Sequence, residues 1–188
     1  MSSSSESEKV QALGTLMVKS PFTGTLEWFD NDEYYPEIDF IIPGLDKPLH
    51  LHAPVLVRAS QTFIALLKAK TSSHGKYDPE SHRLEWMFDK SATDEKYRNC
   101  LVKWLRFCYG EDQTFEADET GAALSSLIQL QLKCEDVLKK TIETHMVHIS
   151  KNDINSGCRM LLDCAAAYEE CHLDNLTSVN FVLAKAVF

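Results

Sequence analysis

The spacing of apolar residues along this chain switches from an alternating to a helical period, and each switch marks an element. Residues 38–42 (Ile-Asp-Phe-Ile-Ile) form an apolar run ended by Pro43-Gly44, and after a turn at 45–47 Leu49 and Leu51 alternate with His50 and His52. Alternation of this kind buries one face of a strand, so the two runs predict a hairpin. From Pro54 the period lengthens: Leu56, Ala59 and Phe63 stand at i, i+3 and i+7, and Ile64, Leu66 and Leu67 widen the same side. Pro54 suits the first turn of a helix, where its missing N–H is no loss. Ser60 interrupts the run as an N-cap and divides it into two short helices. Upstream, residues 23–28 read as a strand ahead of an acidic turn at 30–33.

Residues 71–81 read as a polar loop carrying Gly75 and Pro79, and 82–88 as a third strand. Residues 96–109 are strongly helical, because Leu101, Trp104, Leu105 and Cys108 recur at i, i+3, i+4 and i+7, and Gly110 stops them. A short edge strand at 114–117 follows. Asp118 then caps a helix whose buried stripe holds Ala123, Leu127, Leu130 and Cys134, and Glu135 starts another that turns Leu138, Ile142 and His145 or Met146 inward. Beyond residue 149, Ser150 and Asp153 resemble a capping box. Met160, Cys164, Ala167 and Cys171 form one helical stripe, a break follows at 173–174, and Leu176, Val179, Leu183 and Val187 resume the period. The organisation expected is a polar, partly disordered N-terminal segment at 1–22, an α+β domain at 23–148 and a helical hairpin at 149–188.

Composition narrows the class of function. The chain has 188 residues, 44% of them hydrophobic, enough for one ordinary domain with a small extension. A formal charge of −9 and the lack of any basic stretch argue against nucleic acid as a partner. No apolar run reaches the roughly 18 to 20 residues that span a bilayer, and residues 1–8 lack a signal-peptide pattern, so a cytoplasmic or nuclear location and no membrane partner are expected. Six cysteines (Cys100, Cys108, Cys134, Cys158, Cys164 and Cys171) lie in apolar periodic segments without a C-x-x-C pair, as free thiols packed like small hydrophobes would.

In this order and at these distances the motifs resemble a BTB (POZ) domain over residues 38–146. The fold signature is Asp39 in the first strand, His52 closing the second, Leu56, Ser60, Phe63 and Leu67 in the helix pair, and Tyr109-Gly110 ending a helix. Residues 152–188 are similar to the first helical hairpin of a BACK-type extension. The resemblance implies a helical cluster capped by a small sheet, and a protein that binds other proteins: a cullin ubiquitin-ligase scaffold, its own kind, or both. Met87, Asp89, Tyr109, Glu135 and Leu138 are the partner-contact residues it suggests, Met87-Phe88-Asp89 having the hydrophobic-x-acidic form of a cullin-contact motif. Three departures bear on this, one being that the connection from Lys68 to Lys96 is long and polar. Ala53 follows His52 where the family carries Lys or Arg, so the charged pocket of repressor members is missing and Asp39 needs another partner. Residues 10–37, punctuated by Gly14, Pro21 and Gly24, do not read as the first helix that builds the family's swapped dimer.

No residue set points to catalysis, and neither an enzyme nor a cofactor is expected. Asp39, His52 and Ser60 supply the residue types of a nucleophilic triad, but no Gly-x-Ser-x-Gly elbow surrounds Ser60, and capping is its better role. His50 and His52 share a strand face, as a small zinc-binding protein would need, but third and fourth ligands are not at conventional spacing; His145, His148, Cys171 and His172 are the other candidates. A buried, hydrogen-bonded His52 is favoured over a metal ligand. Trp28, Phe29, Tyr34 and Tyr35 bracket the acidic turn, either as a recognition patch or, favoured, as a surface hairpin whose rings pack on the sheet. A degenerate BTB scaffold without cullin affinity is the remaining alternative.

Overall fold

The hairpin forms where alternation places it, as β2 (Ile38–Ile41) paired antiparallel with β3 (Leu49–Leu51), Ile38 opposite Leu51 and Asp39 opposite His50. The computed structural model of the protein describes residues 15–72, 74–87 and 95–152. His52 is the N-cap of α1 (Ala53–Ala59), and Ser60 ends α1 and caps α2 (Gln61–Ala69). The chain then returns through β4 (Thr71–Ser72), β5 (Gly75–Asp78) and β6 (Arg83–Trp86). The five strands lie in the order β3-β2-β6-β5-β4, and β6 runs parallel to β2. A parallel neighbour cannot be reached by a tight turn, so the α1–α2 pair is part of the crossover that makes it possible.

One sheet face is core and the other is charged. Phe40 sits edge-on to Phe63 and Trp86, both at 5.7 Å, and all three are buried. Burying each such side chain stabilises the fold by about 1.5–3 kcal/mol relative to leaving it in water. On the opposite face the register aligns His50, Asp39, Arg83 and Asp78 across four strands, so that two carboxylates alternate with a histidine and an arginine.

The second half is helical. α3 (Glu95–Cys108) buries Leu101, Trp104, Leu105 and Cys108 as its period requires, and Trp104 Nε1 donates to the Ala123 carbonyl at 2.8 Å. After Gly110, β7 (Gln113–Glu116) pairs antiparallel with β1 (Thr15–Val18) in a separate two-stranded sheet. Gly110 has φ +103, and a Cβ there would stand 2.9 Å from the Phe22 carbonyl, so this turn needs glycine. α4 (Thr120–Leu130) and α5 (Glu135–Asn152) complete an α+β architecture of five α-helices and two small sheets among the described residues.

Five expectations are corrected. Residues 23–28 are not a strand: Gly24 takes φ +82 and Leu26–Trp28 closes a single 3-10 turn. Residues 71–78 are not a loop but contain β4 and β5, whose single buried face leaves too few apolar positions to show a period. Asp118 is not a helix cap; Glu116 and Glu119 form a reciprocal capping box around the 3-10 turn Ala117–Glu119 that leads into α4. Ser150 does not open a new helix, because α5 runs through it to Asn152. Within the segment at 1–22, Thr15–Val18 is a strand with Leu16 and Val18 buried. The hairpin stripe of Met160, Cys164, Ala167 and Cys171 lies outside the described residues.

Candidate functional site

Ser60 holds the joint between α1 and α2 against the end of α4. Its Oγ accepts from the Phe63 N–H at 3.2 Å, the capping bond, and donates to the Leu130 carbonyl. Three more bonds close the seam: Gln61 N–H to the Gln131 carbonyl at 3.0 Å, Thr62 Oγ1 to the Gln129 carbonyl at 2.6 Å, and Lys133 N–H to the Ala59 carbonyl at 2.8 Å. The last carbonyls of a helix have no partner inside it, and here another helix joint supplies the donors. Ser60 is fully buried and both its hydrogen-bonding roles are used, which leaves nothing of a nucleophile about it. Leu56 and Phe63 are buried and Leu67 is partly buried against the same core.

His52 is buried in a second polar knot. Its backbone N–H donates to Tyr109 Oη at 2.7 Å, Nδ1 lies 3.2 Å from that oxygen, and Nε2 lies 2.9 Å from the Tyr34 carbonyl. A carbonyl only accepts, so Nε2 carries the ring hydrogen and, in the neutral imidazole, the Tyr109 hydroxyl donates to Nδ1. Both nitrogens are therefore in use. Trp28 tilts over the imidazole at 5.6 Å and stacks on Tyr34 at 5.9 Å, while Phe29 sits edge-on to Tyr109 at 5.3 Å. The four aromatics are thus not a hairpin packed on the sheet: two single-turn 3-10 helices, Leu26–Trp28 and Asp32–Tyr34, bring three of them to the end of β3 and leave Tyr35 exposed.

Asp39, without a lysine or arginine at position 53, is met by His50, whose Nδ1 lies 2.9 Å from Asp39 Oδ1. The His50 backbone is bracketed by Asp30: His50 N–H donates to Asp30 Oδ1 at 3.0 Å, and Asp30 N–H donates to the His50 carbonyl at 3.2 Å. Asp30 covers the free edge of β3 in this way. Neither bracket is readable from spacing, although the Asp39–His50 pairing follows once the hairpin register is fixed. The Tyr34 carbonyl carried no sequence signal at all.

The suggested partner residues do not form one surface. Tyr109 is wholly buried, burial holds its phenol well above the ordinary range, and it offers nothing to a partner. Leu138 is also buried, on the inner face of α5. Met87 is half exposed at the end of β6, where its N–H donates to the His74 carbonyl. Asp89 lies outside the described residues. Glu135 borders a shallow open cleft of about 360 Å³ between the start of α2 and the α4–α5 turn, with Gln61, Gln131, Lys133 and Asp136 around it. Burial raises the Glu135 carboxyl pKa above its ordinary value, against the pull of Lys139. Next to Glu135, Val137 is 70% exposed, an apolar side chain facing water on α5.

Burial pushes the Cys108 thiol far above its usual range and raises Cys134 as well, so neither is a ready thiolate. Among the described residues no three His, Cys, Asp or Glu side chains converge as a metal ion would need. No helix of the described residues is long and apolar enough to cross a membrane. In comparison with known proteins, no family model, no curated protein and no solved structure matches this chain.

Proposed function

We propose that the chain is a protein-interaction module of BTB (POZ) type, an adaptor that binds a cullin scaffold. The observation that supports this best is the path of the chain from β2 to β6: a hairpin, two short helices joined at a capped serine, then a strand parallel to the hairpin's first. The resemblance read from residues 38–146 anticipates the hairpin and the capped helix pair, and α3, α4 and α5 follow in the expected order. The contact surface then consists of the exposed Met87 after β6 and Val137 at the start of α5, with the half-buried Glu135 beside it. Fold alone does not fix a partner, and the cullin comes from the resemblance.

Self-association through the family's first helix has no counterpart among the described residues, where 15–37 carry one strand and two 3-10 turns. The second function is a scaffold that has kept the fold without cullin affinity, for self-association through a surface other than that helix. Mixing the purified chain with a purified cullin amino-terminal domain, with light scattering on the chain alone, separates the two. Binding that weakens in Met87→Arg and Glu135→Lys is the adaptor result. A dimeric mass without cullin binding is the scaffold result, and a monomer that binds no cullin overturns the adaptor.

A further inference from the structure

Residues 20–46 contain no Lys or Arg and carry seven carboxylates. Four of them, Glu27, Asp30, Asp32 and Glu33, are exposed on or beside the two 3-10 turns. Among the described residues the one ion-pair partner of these four is His50, whose Nε2 lies 3.7 Å from Asp32 Oδ1. With a single histidine among them and no Lys or Arg, carboxylates this near in sequence repel one another. The aromatic rings beside them are unusual too. Tyr35 is 86% exposed and adopts φ +55, and Tyr34, 37% exposed, is stacked on Trp28. A left-handed tyrosine costs on the order of 1–2 kcal/mol, and the ring recovers nothing by packing. The platform is nevertheless fixed, because the Tyr34 carbonyl is tied to buried His52.

We infer that this acidic, aromatic projection docks an arginine-rich segment of another protein. Charge complementarity selects the occupant. A guanidinium stacks on tyrosine faces and forms paired bonds with carboxylates, so arginine uses both features of the surface at once. A second copy of this chain fits poorly, since a two-fold contact through the patch would bring the same carboxylates face to face. The inference is independent of the BTB-type assignment and uses none of the cullin-contact residues.

The test is binding of a labelled octa-arginine peptide to the full chain at low salt, followed by amide NMR shifts. Shifts confined to residues 26–37 are expected. Tyr35→Asn, which removes the ring but tolerates the left-handed backbone, weakens binding by about two- to fivefold. Asp32→Asn with Glu33→Gln weakens it further, and about 1 M salt, where the Debye length is about 3 Å, abolishes it. Asp136→Asn, an exposed carboxylate away from the projection, leaves it unchanged. An octa-lysine peptide binding as tightly, an affinity indifferent to Tyr35→Asn, or shifts spread over other carboxylates would each overturn the inference. So would a dimer forming through the patch. Unchanged near-ultraviolet circular dichroism establishes that each variant is folded.

Discussion

The Ser60 seam and the 26–35 projection are both built from short polar contacts at the ends of helical turns, yet they treat charge in opposite ways. At the seam every polar group is neutral and paired: two hydroxyls, three backbone N–H groups and four carbonyls close on one another with no net charge. In the projection the backbone is pinned by Asn31, whose side chain accepts from the Glu33 N–H, and by Asp30, but the carboxylates are exposed and have no Lys or Arg partner, only His50 beside Asp32. Paired neutral groups give stability because losing one partner strands the other in the core. Unpaired exposed carboxylates add nothing to stability. The contrast separates what holds this molecule together from what it can present to another.

Substitutions at the two places should therefore differ in kind. Ser60→Ala removes a cap and strands the Leu130 carbonyl, and should lower unfolding free energy by about 3 kcal/mol in urea titration; a loss under about 1 kcal/mol would mean the seam is not where stability resides. Tyr109→Phe tests the link between the regions, since its hydroxyl serves the His52 ring and backbone together. A loss of about 2 kcal/mol is expected, with altered emission as Trp28 loses its fixed neighbour.

The third test is one of pH. Burial lowers the His74 pKa below its ordinary 6.5, so the folded state favours the neutral ring. The unfolded chain then binds the proton more readily, and stability rises with pH across this window. The contribution is complete above about pH 6.5 and is lost as pH falls through the folded value. His74→Phe, keeping a ring against Trp86, should flatten that part of the stability–pH curve. The smallest effect belongs to the projection: Asp32→Asn with Glu33→Gln should change stability by no more than about 0.5 kcal/mol, in either direction. A large loss there would erase the contrast between the two regions.

Ser60 was legible because capping is local: a serine inside an apolar helical run, three residues before Phe63, has one good use. The β2–β3 hairpin and α3 were legible for a similar reason, each burying one face along a run long enough to display its period. β4 and β5 were hidden because Gly75 and Tyr77 are nearly all the apolar signal they possess. The 3-10 turns were hidden because Gly24 and the left-handed Asp30 redirect a run that otherwise reads as a strand. Of the candidate site, the cap at Ser60 and the buried, hydrogen-bonded ring of His52 stand where the sequence placed them. The exposure of Val137 and the burial of Tyr109 were not readable, since both depend on how α5 and the Tyr109-Gly110 turn lie against distant segments.

The pairing of β1 with β7 has a consequence for synthesis. Thr15 meets Glu116, about a hundred residues further along, so this contact is among the least local in the fold and should form late. On a ribosome the first strand emerges early and waits, its hydrogen-bonding groups unpaired, until α3 and the Gly110 turn have followed. During that interval Leu16, Met17 and Val18 are an apolar strand without a neighbour, the kind of segment that chaperones bind. Slowing translation downstream of α3 should lengthen that exposure, and speeding it should shorten it.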